Sequence, residues 1–206
     1  MSILVIGGGF ALWAGVHSVL ASRWCKSLIY LSLGPGAKRW YRAAFVLFAV
    51  VSLTPILAAT VVVPDRMLYS VSTPWRWVMV AGQVGALVVL GLSVLQAGWM
   101  HFLGIAQLLA RDPSETGDLQ VRGLYRYVRH PLYLFSVILI WLTPAMSRNL
   151  AVLYAGMTLY FIIGSYHEEA LLVHEFGAAY ERYREQVPRF VPLPGHFYRG
   201  EGGAAT

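Results

Sequence analysis

The sequence predicts an all-α, polytopic membrane protein, and three observations carry that expectation. Apolar residues fill 57% of the 206 positions and charged ones only 13%, and the mean hydropathy is +0.58, far from the balance of a soluble domain. Five apolar runs follow one another, on the scale needed to cross a hydrocarbon core of about 30 Å as helices. Lysines and arginines split thirteen against three between alternate connections, as expected when the basic loops stay in the cytoplasm. The expected architecture is five transmembrane helices, the last two a tight helical hairpin, followed by a cytoplasmic C-terminal amphipathic helix. A single integral-membrane domain is expected over 1–199, N-terminus outside and C-terminus in the cytoplasm, with a disordered tail over 200–206.

The first run, Ile3 to Ala21, has no lysine or arginine before it and no small-residue cleavage site, so it reads as an uncleaved span. A polar connection holds Arg23, Lys26, Lys38, Arg39 and Arg42 and turns at Gly34-Pro35-Gly36. The second span, Ala43 to Val63, is kinked at Pro55. The next loop brings only Arg66 and Arg76, and its Trp75 and Trp77 suit a membrane interface. In the third span, Val78 to Leu103, Gly82, Gly85, Gly91 and Gly98 allow close helix approach, while Gln83, Gln96 and His101 interrupt the apolar face. A polar stretch leads to His130. The fourth span starts at Pro131 and must turn near Pro144 to Asn149, because a fifth run from Leu150 to Tyr166 follows at once. Beyond it, Leu172, Phe176, Tyr180, Tyr183 and Val187 form one stripe of a helix expected to continue to Pro188.

Composition also excludes several function classes. The only cysteine, Cys25, rules out an internal disulfide and a cysteine-rich zinc site. The net charge of +6 marks cytoplasmic loops beside anionic lipid, so no nucleic-acid partner is expected. His167-Glu168-Glu169-Ala170-Leu171 opens like a zinc-protease helix but has leucine where the second histidine must stand, and no phosphate loop or dinucleotide fingerprint is present. No metal is expected.

Candidate chemistry concentrates in Gly123 to Tyr133, GLYRYVRHPLY. Pro131 suits the first position of a helix, where its fixed φ fits and its missing N–H is not needed. His130 then stands at the cap, and Arg129, Arg126 and Arg122 add charge to the free N–H groups of a helix start. Two readings stay open for this stretch: a site for an anionic or richly hydrogen-bonding ligand, or a basic anchor ahead of a span. A fourth span from Pro131 to Met146 would be about 24 Å long, short of the hydrocarbon core, so its cytoplasmic start should be recessed. The fifth, ending at the Glu168-Glu169 pair, would project about 6 Å beyond it. Adjacent carboxylates on a helix point about 100° apart, so Glu168 is expected to face the intervening pocket, with Glu169 assisting. His17 and His101, near the cytoplasmic ends of their spans, are substrate-pocket candidates, as ionisable groups at membrane depth are by default, with packed core histidines as the other reading.

These residues resemble the integral-membrane methyltransferases, the family that includes isoprenylcysteine carboxyl methyltransferase and the phospholipid methyltransferases. The resemblance rests on GLYRYVRHPLY at 123–133, the glutamate pair at 168–169 and FGAAYERYREQVPRFVP at 176–192, in that order around a helical hairpin. Upstream, HSVLAS at 17–22 and FLGIAQLL at 102–109 look like the bacterial methanethiol methyltransferases and their NnrU-like relatives. The resemblance implies S-adenosyl-L-methionine as cofactor, with contacts from Asp118, Leu119, Gln120, Tyr125, His130, Pro131, Leu132, Tyr133, Glu168 and Glu169, and catalytic roles for Arg129, His130 and Glu168. Two positions depart from the isoprenylcysteine enzymes: Gly117 stands where those have a histidine, and Ile162, Ile163 and Gly164 where they have an arginine near the substrate. Both departures weaken a prenylated carboxylate as substrate.

The expected function is methyl transfer to a small or lipid-soluble nucleophile, a thiol or carboxylate, arriving from the bilayer at the cytoplasmic face. The resemblance to bacterial enzymes points to a bacterial cytoplasmic membrane. An NADPH-dependent sterol-type reductase shares the Arg-His-Pro signature and is the first alternative, but RHPLYLFS lacks the asparagine and Gly-Glu that accompany it there. A non-enzymatic scaffold or transporter is the second, although no internal repeat supports a transporter.

Overall fold

The computed structural model describes residues 1–34, 36–109, 119 and 121–200, and it is mostly helical. Helix α1 spans Ser2–Ala21 and stops where Ser22 turns extended, and the Ser22 hydroxyl accepts from the Cys25 N–H to cap α2, Arg23–Leu33. The polar connection expected after the first span is therefore helical over Arg23–Leu33: its apolar residues lie among the cations at a spacing that gives one apolar face. Helix α3 runs Ala37–Val62 with Pro55 inside it. Strand β1, Met67–Ser70, precedes α4, Trp75–Gln96.

The expected third span breaks after Gln96. Gly98 and Gly104 both adopt positive φ, +83° and +81°, and separate two short helices, α5 (Trp99–Leu103) and α6 (Ile105–Leu109). At Gly104 a Cβ would lie 2.5 Å from the Ala43 nitrogen and 2.8 Å from the Arg42 carbonyl carbon, so the chain crosses α3 at a point only glycine allows. Helix α7 starts at Pro131 but ends at Trp141, eleven residues in place of the sixteen expected. The chain then forms strand β2, Ala145–Ser147, which pairs antiparallel with β1, and helix α8 follows at once, Arg148–Phe176. Gly177, at φ +54°, ends α8, and α9 is a separate helix, Ala178–Gln186. The amphipathic stripe is thus carried by two helices and not one.

Among the described residues four helices are long and apolar enough to cross a membrane, α1, α3, α4 and α8, and α7 is a shorter apolar helix. Few of their residues are buried within the chain, which leaves apolar faces such as those of Leu47, Val50 and Val51 for lipid. This is an integral membrane protein.

The chain forms two interleaved units. The first comprises Met1–Arg76, Gly98–Thr116 and Pro144–Thr158. There Trp13 Nε1 donates to Ser52 Oγ at 2.9 Å and Tyr41 donates to the Leu20 carbonyl at 2.6 Å, joining α1 to α3. Where β1 meets β2, Arg148 N–H reaches the Arg66 carbonyl at 2.8 Å, and Asn149, fully buried, donates through Nδ2 to the Val63 carbonyl at 3.1 Å. The second unit comprises Trp77–Ala97, Gly117–Thr143 and Leu159–Thr206. Gln83 Nε2 donates there to the Leu139 carbonyl at 3.1 Å, and Tyr180, Tyr183 and Val187 form a buried cluster packed by Leu119, Leu172 and Phe176 among others. The predicted stripe does converge, although Gly177 divides it. The expected tail over 200–206 lies outside the described residues apart from Gly200.

Candidate functional site

Backbone conformation brings the site together within the second unit. Gly123, at φ +56°, begins a 3₁₀ turn, Gly123–Arg126, and any Cβ there would overlap the Gln96 amide. That amide instead accepts from the Leu124 N–H at 2.8 Å, so the polar interruption near the end of α4 holds the turn. The chain next pairs with the segment after α9: Arg129 N–H donates to the Pro188 carbonyl at 3.0 Å and His130 N–H to the Arg189 carbonyl at 3.1 Å. His130 then caps α7 by position, with its own carbonyl accepting from Leu134 at 3.1 Å.

Glu169, on α8 and 2% exposed, is the centre of the arrangement. Arg129 approaches it as a fork, Nε at 2.8 Å from Oε1 and Nη2 at 3.3 Å from Oε2. Arg189 forms a second fork at 3.1 and 2.7 Å, and His130 Nε2 lies 3.0 Å from Oε1. Five donors fill a carboxylate that has about four lone-pair sites. Glu169 is saturated, and its role is to position its neighbours. The remaining Arg129 nitrogen, Nη1, donates to the carbonyls of Arg184, at 2.8 Å, and Val187. Those are orphan acceptors at the end of α9, where a cation is favoured.

Glu168 is different. Its side chain is 47% exposed; the Tyr133 hydroxyl donates to Oε2 at 2.8 Å, and His130 Nδ1 lies 3.7 Å from the same oxygen. The two nitrogens of one imidazole therefore face two carboxylates, one buried and saturated, the other open to solvent. Because Glu169 can only accept, Nε2 carries the hydrogen in neutral His130 and Nδ1 holds the lone pair. Aromatic faces fix the ring: Tyr133 stacks on His130 at 5.3 Å and 7°, Phe161 stacks on Tyr133 at 5.3 Å, and Phe190 tilts against His130.

Around this cluster, Tyr125 sits part-buried with its hydroxyl 3.5 Å from the Ser93 carbonyl, and its own carbonyl accepts from Tyr183 at 2.7 Å. Burial, with the Glu168 carboxylate adding to it, raises the Tyr125 hydroxyl well above the usual phenol range. Burial raises Tyr180 and Tyr183 in the same direction. All three phenols stay neutral donors at any physiological pH.

Of the residues singled out from sequence, Tyr125, Arg129, His130, Pro131, Leu132, Tyr133, Glu168 and Glu169 lie in this unit, and Leu119 packs on its tyrosine cluster. Asp118 and Gln120 lie outside the described residues. His17 and His101 lie in the first unit. His17 is packed between Trp13, at 4.9 Å, and Phe45, at 4.6 Å, whereas His101 is exposed on α5. The expected 6 Å offset between the Arg-His-Pro turn and the glutamates is closed by direct contact. Helix α7 ends at Trp141, short of the sixteen-residue span expected, and β2 makes the turn. Arg189, not among the site residues expected from sequence, also stacks with its guanidinium carbon 3.4 Å from the Tyr166 ring centre. Its signal was the VPRFVP segment, together with the need of a buried carboxylate for more than one cation.

Residues 80–179 match the family model for phospholipid methyltransferases. Over 94% of this chain and 76% of the relative, the sequence is 30% identical to a methanethiol S-methyltransferase of Crocosphaera subtropica. It is 31% identical to one of Mycobacterium tuberculosis over 93% of this chain and 77% of that relative. A protein-S-isoprenylcysteine O-methyltransferase of Schizosaccharomyces pombe is 36% identical over 49% of this chain and 42% of its own length. No solved structure matches significantly.

Proposed function

The chain belongs to the integral-membrane methyltransferase family, and from that premise we propose that it transfers a methyl group from S-adenosyl-L-methionine to a small, lipid-soluble thiol at the cytoplasmic face of its membrane. The observation that carries this reading is His130 held between saturated Glu169 and half-exposed Glu168. The relatives' names, with thiol methylation recurring over nearly the whole chain, favour a thiol over a carboxylate. They also set aside the reductase and scaffold alternatives.

The donor set fits the cofactor. Glu168 keeps acceptor capacity for hydroxyl or amino groups, the Tyr133–His130 column offers an aromatic wall, and Arg189 has one buried nitrogen, Nη1, without a partner among the described residues. Asp118, Leu119, Gln120, Tyr125, Pro131, Leu132 and Tyr133 would complete the cofactor's surroundings. When bound, S-adenosyl-L-methionine supplies a methyl group already activated on a sulfonium. The chain's own residues must bind the thiol, exclude water and remove its proton, since the thiolate is the nucleophile. In this reading His130 Nδ1 accepts that proton and Glu168 passes it to water. Arg129 and Glu169 act through His130, as positioning residues.

Five crossings are part of the proposal. Strand β1 follows α3 and precedes α4, and it pairs with β2, which follows α7. If α4 crosses the bilayer, the chain has to return before β2 can reach β1, and α7 with its flanking residues is the segment available. The split of basic residues then puts the N-terminus outside and the C-terminus in the cytoplasm. Calorimetric titration of detergent-purified protein should give binding of S-adenosyl-L-methionine, no binding of NADPH, and loss of cofactor-dependent methyl transfer in His130→Ala. Radiolabelled methyl should pass to short-chain thiols before prenylcysteines or lipid extracts. Absence of S-adenosyl-L-methionine binding would sink the reading.

A further inference from the structure

Sharing no lining residue with the Glu169 cluster, the second unit has a cleft of about 350 Å³ lined by Arg122, Gly123, Arg126, Tyr198 and Arg199 among others. Three arginines line it, and no carboxylate does among the described residues. The walls are tied to each other: Tyr198 N–H donates to the Arg126 carbonyl at 2.9 Å, Arg126 Nη2 returns to the Tyr198 carbonyl at 3.2 Å, and Arg199 N–H is held by Gln186 at 3.0 Å. The segment between α9 and Tyr198 exposes large apolar side chains, Val191 at 63% and Leu193 at 49%. Phe197 leans on exposed Tyr127 at 6.5 Å and lies under the Arg199 guanidinium. Arginine forks beside exposed aromatic and aliphatic side chains match the layered chemistry of a bilayer surface, phosphate outside and acyl chain within.

We propose that this cleft binds the phosphate of a membrane phospholipid headgroup, Arg122, Arg126 and Arg199 engaging the phosphate while Phe197, Tyr127 and Leu193 enter the adjoining lipid. The bound lipid is a surface ligand and not the methyl acceptor, so the site docks the last segment of the chain, whose Pro188 and Arg189 carbonyls hold Arg129 and His130, against the membrane. Phosphatidylglycerol is a suitable probe, because it offers no amine or thiol to methylate and reads binding alone.

The experiment is thermal denaturation of the full detergent-solubilised chain titrated with phosphatidylglycerol, with diacylglycerol of the same acyl chains, and with inorganic phosphate. Phosphatidylglycerol should raise the melting temperature at a concentration at least about fivefold below that needed for diacylglycerol, on the scale of one arginine–headgroup contact. Arg122→Gln with Arg199→Gln should remove that advantage while leaving the lipid-free melting temperature unchanged, and Arg199→Gln by itself should leave S-adenosyl-L-methionine binding unchanged. Arg199→Gln alone serves if the double variant does not fold, since the Arg199 backbone bond to Gln186 survives it. Equal effects of the two lipids, or an unchanged phosphatidylglycerol response in the variants, would overturn the proposal. Stabilisation by inorganic phosphate without any by phosphatidylglycerol would reassign the cleft to a free anion and overturn it equally.

Discussion

Two polar knots hold this chain, one in each unit, and they are built differently. In the first unit the knot at Asp65, Arg66, Arg148 and Asn149 uses mostly backbone and amide groups. Arg148 N–H meets the Arg66 carbonyl, Asn149 reaches the Val63 carbonyl, and Arg148 Nη2 donates to Ser2 Oγ at 2.7 Å. Asn149 Oδ1 and Arg148 Nε have no partner among the described residues. In the second unit the knot at Glu169 is made of full charges, two guanidiniums and an imidazole on one carboxylate. The first fixes where strands end and α8 begins. The second also fixes a ring's tautomer and places a solvent-facing carboxylate beside it. A polar knot is therefore a poor sign of function by its burial alone; what marks the second is the open group, Glu168, at its edge.

The most direct way to break the comparison is to remove Glu169. Glu169→Leu leaves two guanidiniums clustered without their carboxylate, and unpairing a buried ion cluster costs about 3–5 kcal/mol. We expect a steep fall in melting temperature and in yield of folded protein, with Glu169→Asp recovering part of both. Glu168→Gln should separate structure from chemistry. Its stability should stay within about 0.5 kcal/mol of wild type, while methyl transfer falls on the order of 10²-fold or more, the usual worth of a proton-accepting group. A stability loss comparable to that of Glu169→Leu, with transfer intact, would make the pair equivalent and remove the distinction. Asn149→Ala sharpens the other side: it frees the half-buried Val63 carbonyl at a cost of about 1–3 kcal/mol. Transfer rate per folded molecule should be unchanged, as measured on the fraction that survives size-exclusion chromatography.

Much of this was legible because the signals were local. Pro131 as first helical residue, His130 at the cap and the two glutamates on one helix are all properties of a few neighbouring residues. Helices α1 and α3 announce themselves by unbroken apolar length. What was not legible depends on partners distant in sequence. Strands β1 and β2, four and three residues long, have no periodicity to read and exist because each supplies the other's hydrogen bonds. Helix α2 was hidden because Arg23 and Lys26 made its stretch resemble a loop. Gly98 and Gly177 sat inside helical patterns, where a glycine is tolerated, and only the φ each adopts turns it into a break. Arg189 could be placed only once the pairing of 129–130 with 188–189 was seen, since nothing near it in sequence names Glu169 as its partner.

The smallest expected effect lies at Asp65, where the first knot meets solvent. Its carboxylate accepts from Arg66 N–H at 2.7 Å and from Asn149 N–H at 3.0 Å, so it satisfies an N–H at the start of α8 from outside the helix. Desolvation pushes its pKa up, but the hydrogen bonds from Ser147, Asn149 and Arg66 and the charge of Arg148 outweigh it, and the group lies below the ordinary carboxylate value. A carboxylate depressed in the folded state contributes stability that is fully present above its unfolded pKa of about 3.9 and lost as pH falls through the folded value. Wild type should therefore lose an increment of melting temperature in that acid window, and Asp65→Asn should lack it. The contribution is set by an exposed cap, on the order of 1 kcal/mol or less. The second knot predicts the contrast: Asp65→Asn should leave S-adenosyl-L-methionine binding at neutral pH as it is in wild type, and a change there would mean that the two knots are not independent.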